Sequence, residues 1–382
     1  MISIFTNRLN HHQAPVADCL YELTSKEFRF VELSPPSEQT NKGAHIDYST
    51  RPYFVQAWKN SYSIEEARRL ALVSDVAIFG AESIDYEVLR SKFTNKLSFE
   101  MSERWLKRGL INAISPRFIK YQWYYHTLFY KKPVYKLCAG AYSANDQYLF
   151  HSYINKCYKW GYFINGAEKS FWGRRGDIAN PFKILWCGRF LSLKHPELAI
   201  EFARVLRRKS IPFVLDMIGD GPALAESKRL VRTYNLDHVV IFHGAMENNK
   251  VIEQMCIHDF FLFTSDRREG WGAVLNEAMS SGCIVLTSDQ VGGAPFLIEH
   301  RRTGCIFRNL DLLSLVEEFL WLTESDERMN LIREKSIQHY YQYWTPHHAA
   351  FSLLTLIDDL NAGRESSINI GPCSKAFPIK EG

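Results

Sequence analysis

The chain has 382 residues, too long for one ordinary core and about right for two domains. It is 46% hydrophobic and 23% charged, a globular balance, and its formal net charge of +4 is too small to make nucleic acid the main partner. The eight cysteines, at 19, 138, 157, 187, 256, 283, 305 and 373, include no CxxC pair, so no metal or redox motif is read and reduced, buried thiols are expected. The start, MISIFTNRLNHH, lacks the apolar segment of a signal peptide, and no stretch approaches the ~20 apolar residues of a membrane span. The expectation is a cytoplasmic protein, with a peripheral place on the cytoplasmic membrane face left open.

In chain order, short β-rich runs alternate with longer helical patterns. ISIFT (2–6) reads as a strand, 15–23 as a helix, FRFVEL (28–33) as a strand, IEEARRLALVS as a helix and DVAIFG (75–80) as a strand. NKLSFE (95–100) reads as a strand leading into a basic helix, SERWLKRGL, and PVYKLCAG (133–140) as a further strand. Residues 166–181 are rich in Gly, Asn and charge and read as a linker. The alternation then restarts: strands at KILWCGRF, PFVLDMIGDGP, VVIFHG, DFFLFTS and CIVLTS, with helices between them. Helices follow over 313–323, 327–340 and 347–360, and the last twenty residues read as a loose tail. Such alternation implies α/β structure with parallel sheets, here an N-terminal Rossmann-like domain (1–165) and a C-terminal one (182–342). Ligands of such sheets bind beyond the carboxyl ends of the strands, and two facing domains would form a cleft.

Three strand ends in the second half carry chemistry. Arg189 and Lys194 follow the strand 183–187, and a guanidinium with an ammonium suits a diphosphate, though a surface pair reads equally well. Gly219 and Gly221 in IGDGP either let a ligand approach the backbone or make a plain tight turn. No GxGxxG is present, which argues against a nicotinamide or flavin enzyme. In TSDRREGWGAVLNEAMSSGC (264–283), Gly270 and Gly272 bare the amides of 270–273 at a helix start, where an anion is favoured. Glu269 and Glu277 flank that point and suit sugar hydroxyls; an N-cap carboxylate and a solvated helix glutamate are the plainer alternative.

GRFxxxK with Arg189 and Lys194, then GDGP, FHG (242–244), EGWGAVLNEAMSSGC, GGAPFLI and TGCIF form an ordered series over roughly 183–310. The series resembles the nucleotide-binding half of retaining GT-B glycosyltransferases of family 4, whose E-x7-E signature is matched by Glu269 and Glu277. The resemblance implies a GT-B fold, two facing Rossmann-like domains with a deep interdomain cleft. Arg189 and Lys194 would take the donor diphosphate, Glu269 the donor sugar and Glu277 the ribose. Gly219, Gly221, His243, Gly270, Trp271, Gly272 and Ala273 would line the nucleotide-sugar site. Trp271 stands where Phe is commoner and His195 where Gly is usual. The C-terminal helix (343–362) would cross back to the N-terminal domain, ahead of a tail (363–382). The implied activity is hexosyl-type transfer (EC 2.4) from a nucleoside diphosphate sugar, such as a UDP-sugar, with retention. The acceptor would be a saccharide or a polyprenyl-diphosphate-linked saccharide of surface-polysaccharide assembly. No cofactor beyond the donor substrate and no metal are implied. A GT-B sugar-nucleotide epimerase and a non-catalytic nucleotide-sugar-binding subunit are the rival readings.

In the first half, His11 and His12 follow strand one and are titratable groups suited to donor phosphate or acceptor hydroxyl; surface or capping roles compete. Glu100 and Glu103 are weaker candidates to orient an acceptor. Residues 100–136 hold eight Lys or Arg and two Glu, a net +6, interleaved with aromatics. That composition suits a membrane surface bearing anionic lipid, with a solvated basic face over buried aromatics as the alternative. No nucleic-acid reader motif is present, so none is assigned as a partner.

Overall fold

The computed structural model describes residues 1–35, 47–167 and 180–379. The chain forms two compact units, Met1–Asn165 with Tyr343–Lys380, and Gly166–Gln342. Most of the linker expected over 166–181 lies outside the described residues.

The first unit is a seven-stranded parallel sheet. Its strands are β1 (Ile2–Thr6), β2 (Phe28–Glu32), β3 (Phe54–Gln56), β4 (Val76–Phe79), β5 (Ser98–Ser102), β6 (Val134–Ala139) and β7 (Cys157–Trp160), in the order β3-β2-β1-β4-β5-β6-β7. β1 and β4 are buried along their whole length, as a parallel strand covered on both faces must be. Ile4 lies opposite Phe30 on one side and Ile78 on the other. Strand order reverses at β1, so the loops after β1 and β4 open a switch point. His11 and His12 sit on the first of these loops.

The second unit repeats the plan with six parallel strands: β8 (Phe182–Cys187), β9 (Phe213–Ile218), β10 (Val240–Gly244), β11 (Phe260–Phe263), β12 (Ile284–Ser288) and β13 (Cys305–Phe307), in the order β10-β9-β8-β11-β12-β13. Its helix Pro196–Arg208 buries Leu198, Ala199, Phe202, Ala203 and Leu206, a stripe at helical spacing laid on the sheet. Phe319 sits at the centre of that core, edge-on to Phe182 and Phe202 and 5.1 Å from Phe260. Here the switch point lies between β8 and β11. It brings together the two loops that carry the candidate diphosphate and sugar residues.

Three expectations are corrected. The basic helix over SERWLKRGL is not formed: β5 runs to Ser102, a 3-10 turn spans Gly109–Ile114, and a helix follows at Pro116–Tyr124. The buried Asp146 carboxylate explains this, because it takes the Leu106 amide at 2.8 Å and the Arg104 guanidinium at 3.2 Å. An amide spent on a tertiary contact is lost to a helix. Glu100 does not face an acceptor either. It lies buried in β5, ion-paired to the buried Lys136, whose ammonium also donates to Ser102 Oγ at 2.6 Å.

The last twenty residues, described as far as Ile379, are not a loose tail. Cys373 N–H donates to Lys159 O at 2.7 Å, Lys159 N–H to Ser374 O at 2.8 Å, and Ala376 N–H to Cys157 O at 3.0 Å. β7 is an edge strand, and this segment satisfies backbone groups that an edge leaves open. The helix Pro346–Asn361, capped by Thr345 on the His348 amide, packs along the helix Ala14–Leu23 within the same unit.

Breaking the Glu100–Lys136 pair from one side strands a buried charge. Glu100→Ala is expected to destabilise the first unit by about 3–5 kcal/mol, measured by denaturant unfolding. A loss under ~1 kcal/mol would show that the pair is not desolvated.

Candidate active site

The site begins at the end of β8. Gly188 N–H donates to Ile218 O and Phe190 N–H to Asp220 O, so the loop after β8 lies against the loop after β9. Gly219 (φ +138°) and Gly221 (φ +150°) make that approach possible, since a Cβ there would stand 1.9 Å from Gly188 O and 2.6 Å from Phe190 O. Their role is thus to seat the 188–194 backbone. That loop presents Arg189, exposed and with no side-chain partner among the described residues. It also presents Lys194, whose ammonium pairs with the Glu269 carboxylate and lies 4.7 Å from the Phe263 ring centroid.

The β11 loop is hydrogen-bonded to the β8 loop. Asp266 N–H donates to Leu193 O at 2.9 Å, Thr264 Oγ1 to Lys194 O at 2.6 Å, and Trp186 Nε1 to Thr264 Oγ1 at 3.0 Å. His195 reinforces the join. It adopts a left-handed backbone (φ +46°), which is why glycine suits this position. Its ring nitrogens contact Glu197 at 2.6 Å and Asp266 at 3.0 Å. The hydrogen bond to Glu197 raises its pKa, and Asp266 adds to this against the opposing effect of burial. Asp266 is also held by Arg268.

A second clamp fixes residues 269–272. Gly292 N–H donates to Glu269 O at 3.3 Å and Gly293 N–H to Trp271 O at 2.9 Å. A Cβ on Gly292 would meet Gly270 O at 1.8 Å, so the GGAP turn must be glycine to lie on this strand end. Gly272 (φ +83°) packs tightly enough that a Cβ would meet the Phe263 ring at 2.8 Å. With the loop so held, the N–H groups of Gly270, Gly272 and Ala273 donate to no acceptor among the described residues. The helix Val274–Ser280 starts directly after them. The Trp271 side chain is fully buried and its Nε1 donates to Asn276 Oδ1 at 2.9 Å, so the indole anchors the loop from inside.

Glu277 stands one turn into that helix, buried, and accepts from Asn248 Nδ2 at 3.1 Å. Burial pushes its carboxyl up to about 7. Sequence reasoning missed Asn248, because nothing in spacing links the start of the helix Asn248–Ile257 to Glu277. It also missed Asp266, which reads as one loop acid among several. The His243 Nε2 lies 2.5 Å from Asp216 in mid-β9, and that carboxylate also holds His258 at 2.8 Å.

In the first unit, the His11 and His12 rings are tilted by 46° with centroids 3.7 Å apart, and His12 stacks on the Tyr162 ring at 5.8 Å. Burial, with His11 adding, pushes the His12 imidazole down to about 3, so it is neutral near pH 7 and a weak base. Its Nδ1 is buried without a hydrogen-bond partner among the described residues. The Tyr162 hydroxyl donates to Glu103 at 2.7 Å, and Lys107 pairs with the same carboxylate. Elsewhere, ligand atoms of His300, Cys305 and Glu318 lie within 4.8 Å of one another, but Arg301 holds Glu318 by two hydrogen bonds and Ile306 N–H donates to His300 Nδ1.

Two Rossmann-like parallel-sheet units make this a GT-B fold. The chain is similar to the crystal structure of a glycosyltransferase from Rickettsia africae, with a TM-score of 0.66 at 14% identity over 94% of this chain and 98% of that one. Residues 172–339 match the family described as glycosyl transferases group 1. Two curated relatives agree. One is N-acetyl-alpha-D-glucosaminyl L-malate synthase of Bacillus anthracis, 28% identical over 160 residues, 42% of this chain and 40% of that protein. The other is the putative colanic acid biosynthesis glycosyltransferase WcaL of Escherichia coli, 28% identical over 153 residues, 39% of this chain and 37% of that protein. The chain thus spans about two fifths of each relative's length. Over its second unit the chain is thus similar to group 1 glycosyltransferases.

Two outcomes test the site's construction. Glu277 keeps its proton in the folded state up to about pH 7 and loses it near 4.5 when unfolded, so its contribution to stability falls as pH rises between those values. Glu277→Gln is expected to flatten that slope and raise stability at pH 8 by roughly 2–3 kcal/mol, read as a higher melting temperature. Gly292→Ala is expected to cost about 1–3 kcal/mol in denaturant unfolding, because the clamp on Gly270 must open.

Proposed function

We propose that the protein is a retaining glycosyltransferase of the family 4 type. It transfers a sugar from a nucleoside diphosphate sugar to a saccharide or lipid-linked saccharide in surface-polysaccharide assembly, on the cytoplasmic side. The observation that carries the reading is that the amides at Gly270, Gly272 and Ala273 have no acceptor, and the Arg189 side chain no partner, among the described residues, on the loops that also carry Lys194. Free donors and two cations at one strand-end switch point suit a diphosphate. The names of the two relatives differ, one an L-malate synthase and one a colanic acid biosynthesis enzyme, so the acceptor class rests on the resemblance to surface-polysaccharide enzymes.

The chemistry follows from charge. Breaking the bond between sugar and diphosphate develops negative charge on the leaving oxygen, and Arg189, Lys194 and the amides stabilise it there. A diphosphate reaching Lys194 competes with Glu269 for the ammonium. The freed carboxylate then accepts hydrogen bonds from the donor sugar. Glu277, with Asn248 beside it, takes the ribose hydroxyls. No side-chain nucleophile is invoked. The leaving phosphate assists deprotonation of the acceptor on the same face of the sugar, which gives retention. His12, a neutral imidazole with an unused nitrogen, serves as a hydrogen-bonding group rather than as a general base.

The test is thermal unfolding with UDP, GDP, CDP, dTDP or ADP. A nucleotide at 100 times its dissociation constant adds about 2.7 kcal/mol, a shift of a few degrees. One of the five is expected to give that shift. Lys194→Ala should abolish it, and Glu277→Gln should weaken affinity roughly tenfold, about 1.4 kcal/mol. No shift with any nucleotide would defeat the reading. Retention is checked by NMR of the anomeric proton in the first product formed.

A further inference from the structure

The basic, aromatic stretch after β5 divides in the fold into residues that serve the core and residues that do not. Arg104 is buried against Asp146, Lys136 against Glu100, and Lys107 is paired with Glu103. Tyr121, Tyr125 and Phe129 are buried, and Trp105 packs on Phe118 and Tyr121. None of these is available to a partner. What remains outside is different in kind. Leu110 is 70% exposed, Ile111 67%, Ile114 74%, Ile119 56% and Trp123 60%. Along the helix Pro116–Tyr124, Phe118 and Tyr121 face inward, while Ile119 and Trp123, one turn apart, occupy the outward face where polar residues belong. A cluster of large apolar side chains turned to water is a binding feature rather than a folding one.

The charges beside it share one sign. Arg108, Arg117, Lys120 and Lys131 are exposed, and the chain has no carboxylate between Glu103 and Asp146. One acid, Asp85, is exposed and lies 3.7 Å from Lys120.

We propose that residues 108–123 form a docking face for an anionic lipid bilayer, with Leu110, Ile111, Ile114, Ile119 and Trp123 entering the interface and Arg108, Arg117 and Lys120 meeting lipid phosphates. Apolar insertion fringed by bases is the chemistry of an interfacial anchor. A second copy of this chain fits less well, because a self-complementary interface would gather the bases of both copies against only Asp85 from each. The inference does not depend on the donor site, and it gives the lipid-linked acceptor of the proposed reaction a surface on which to be met.

The test is flotation of the full chain with large unilamellar vesicles. Binding to vesicles of equal phosphatidylglycerol and phosphatidylcholine is expected at 50 mM salt, with at least tenfold weaker binding to pure phosphatidylcholine and at 0.5 M salt. Ile114→Asp with Ile119→Asp should reduce binding at least tenfold with the melting temperature unchanged. Ile114→Ser with Ile119→Ser is the milder pair should the first fold poorly. Arg117→Glu with Lys120→Glu should abolish the lipid-charge preference. A wild-type chain that stays unbound, or isoleucine variants that float as well as wild type, would overturn the proposal. So would self-association by light scattering that the isoleucine variants remove without any vesicle binding. Nucleotide-induced thermal shifts in the same variants separate this outcome from failure of the donor site.

Discussion

The candidate donor site depends on two backbone segments being bound to each other where strand order reverses in the second unit. Asp266 N–H to Leu193 O and Thr264 Oγ1 to Lys194 O join the β8 loop to the β11 loop. Both bonds end on backbone carbonyls, so neither occupies a side chain that would meet a ligand. Both determine where those side chains stand. Lys194 and Glu269 meet because their loops are joined, and the amides at 270–273 keep their direction because Gly292 and Gly293 hold them from the other side. The glycines here are packing requirements: each lets one backbone lie on another where a Cβ would not fit. The precision of such a site comes from its supports rather than from its charged groups.

His195 shows how the join tolerates variation. The left-handed backbone at this position favours glycine, and a side chain there carries strain. In this chain the imidazole lies between Glu197 and Asp266, and those two hydrogen bonds offset the strain while adding a third tie between the loops. The departure from the usual residue is thus coupled to its neighbours.

Much of this was legible in the sequence, for identifiable reasons. Apolar runs such as DFFLF and ILWC can only be buried parallel strands, so the chemistry beyond them had to lie at strand ends. Arg189, Lys194, Glu269 and Glu277 followed from that placement together with the ordered motifs. What could not be read was any side chain's direction. Trp271 and His243 stand within the motif series, yet one fills the interior and the other binds Asp216, because burial and cross-strand neighbours are set by distant parts of the chain. Asn248 and Asp266 were invisible for the same reason. The basic helix failed because Asp146, forty residues on, claims Leu106's amide. The edge-binding tail was missed because polar, glycine-containing composition says nothing of which strand edge lies open beside it.

The features most costly to folding are also the ones that point to function. A buried Glu277 titrating near 7 and a row of exposed isoleucines both lower the stability of the isolated chain or its solubility in water. Neither is needed to complete a core: Glu277 could be glutamine, and Ile114 and Ile119 could be serine, with no neighbour left unsatisfied. A chain shaped by folding alone would have lost them, because most such positions drift toward whatever costs least. Their presence is explained when each has a partner outside the chain, a polyhydroxylated ligand for the carboxylate and an apolar, anionic surface for the isoleucines and their basic fringe. By contrast Arg104, Lys136 and Trp105, equally conspicuous in composition, are engaged within the fold. The physical separation of these two sets, polar or apolar groups satisfied internally and those left facing outward, is what turns a motif series into a site.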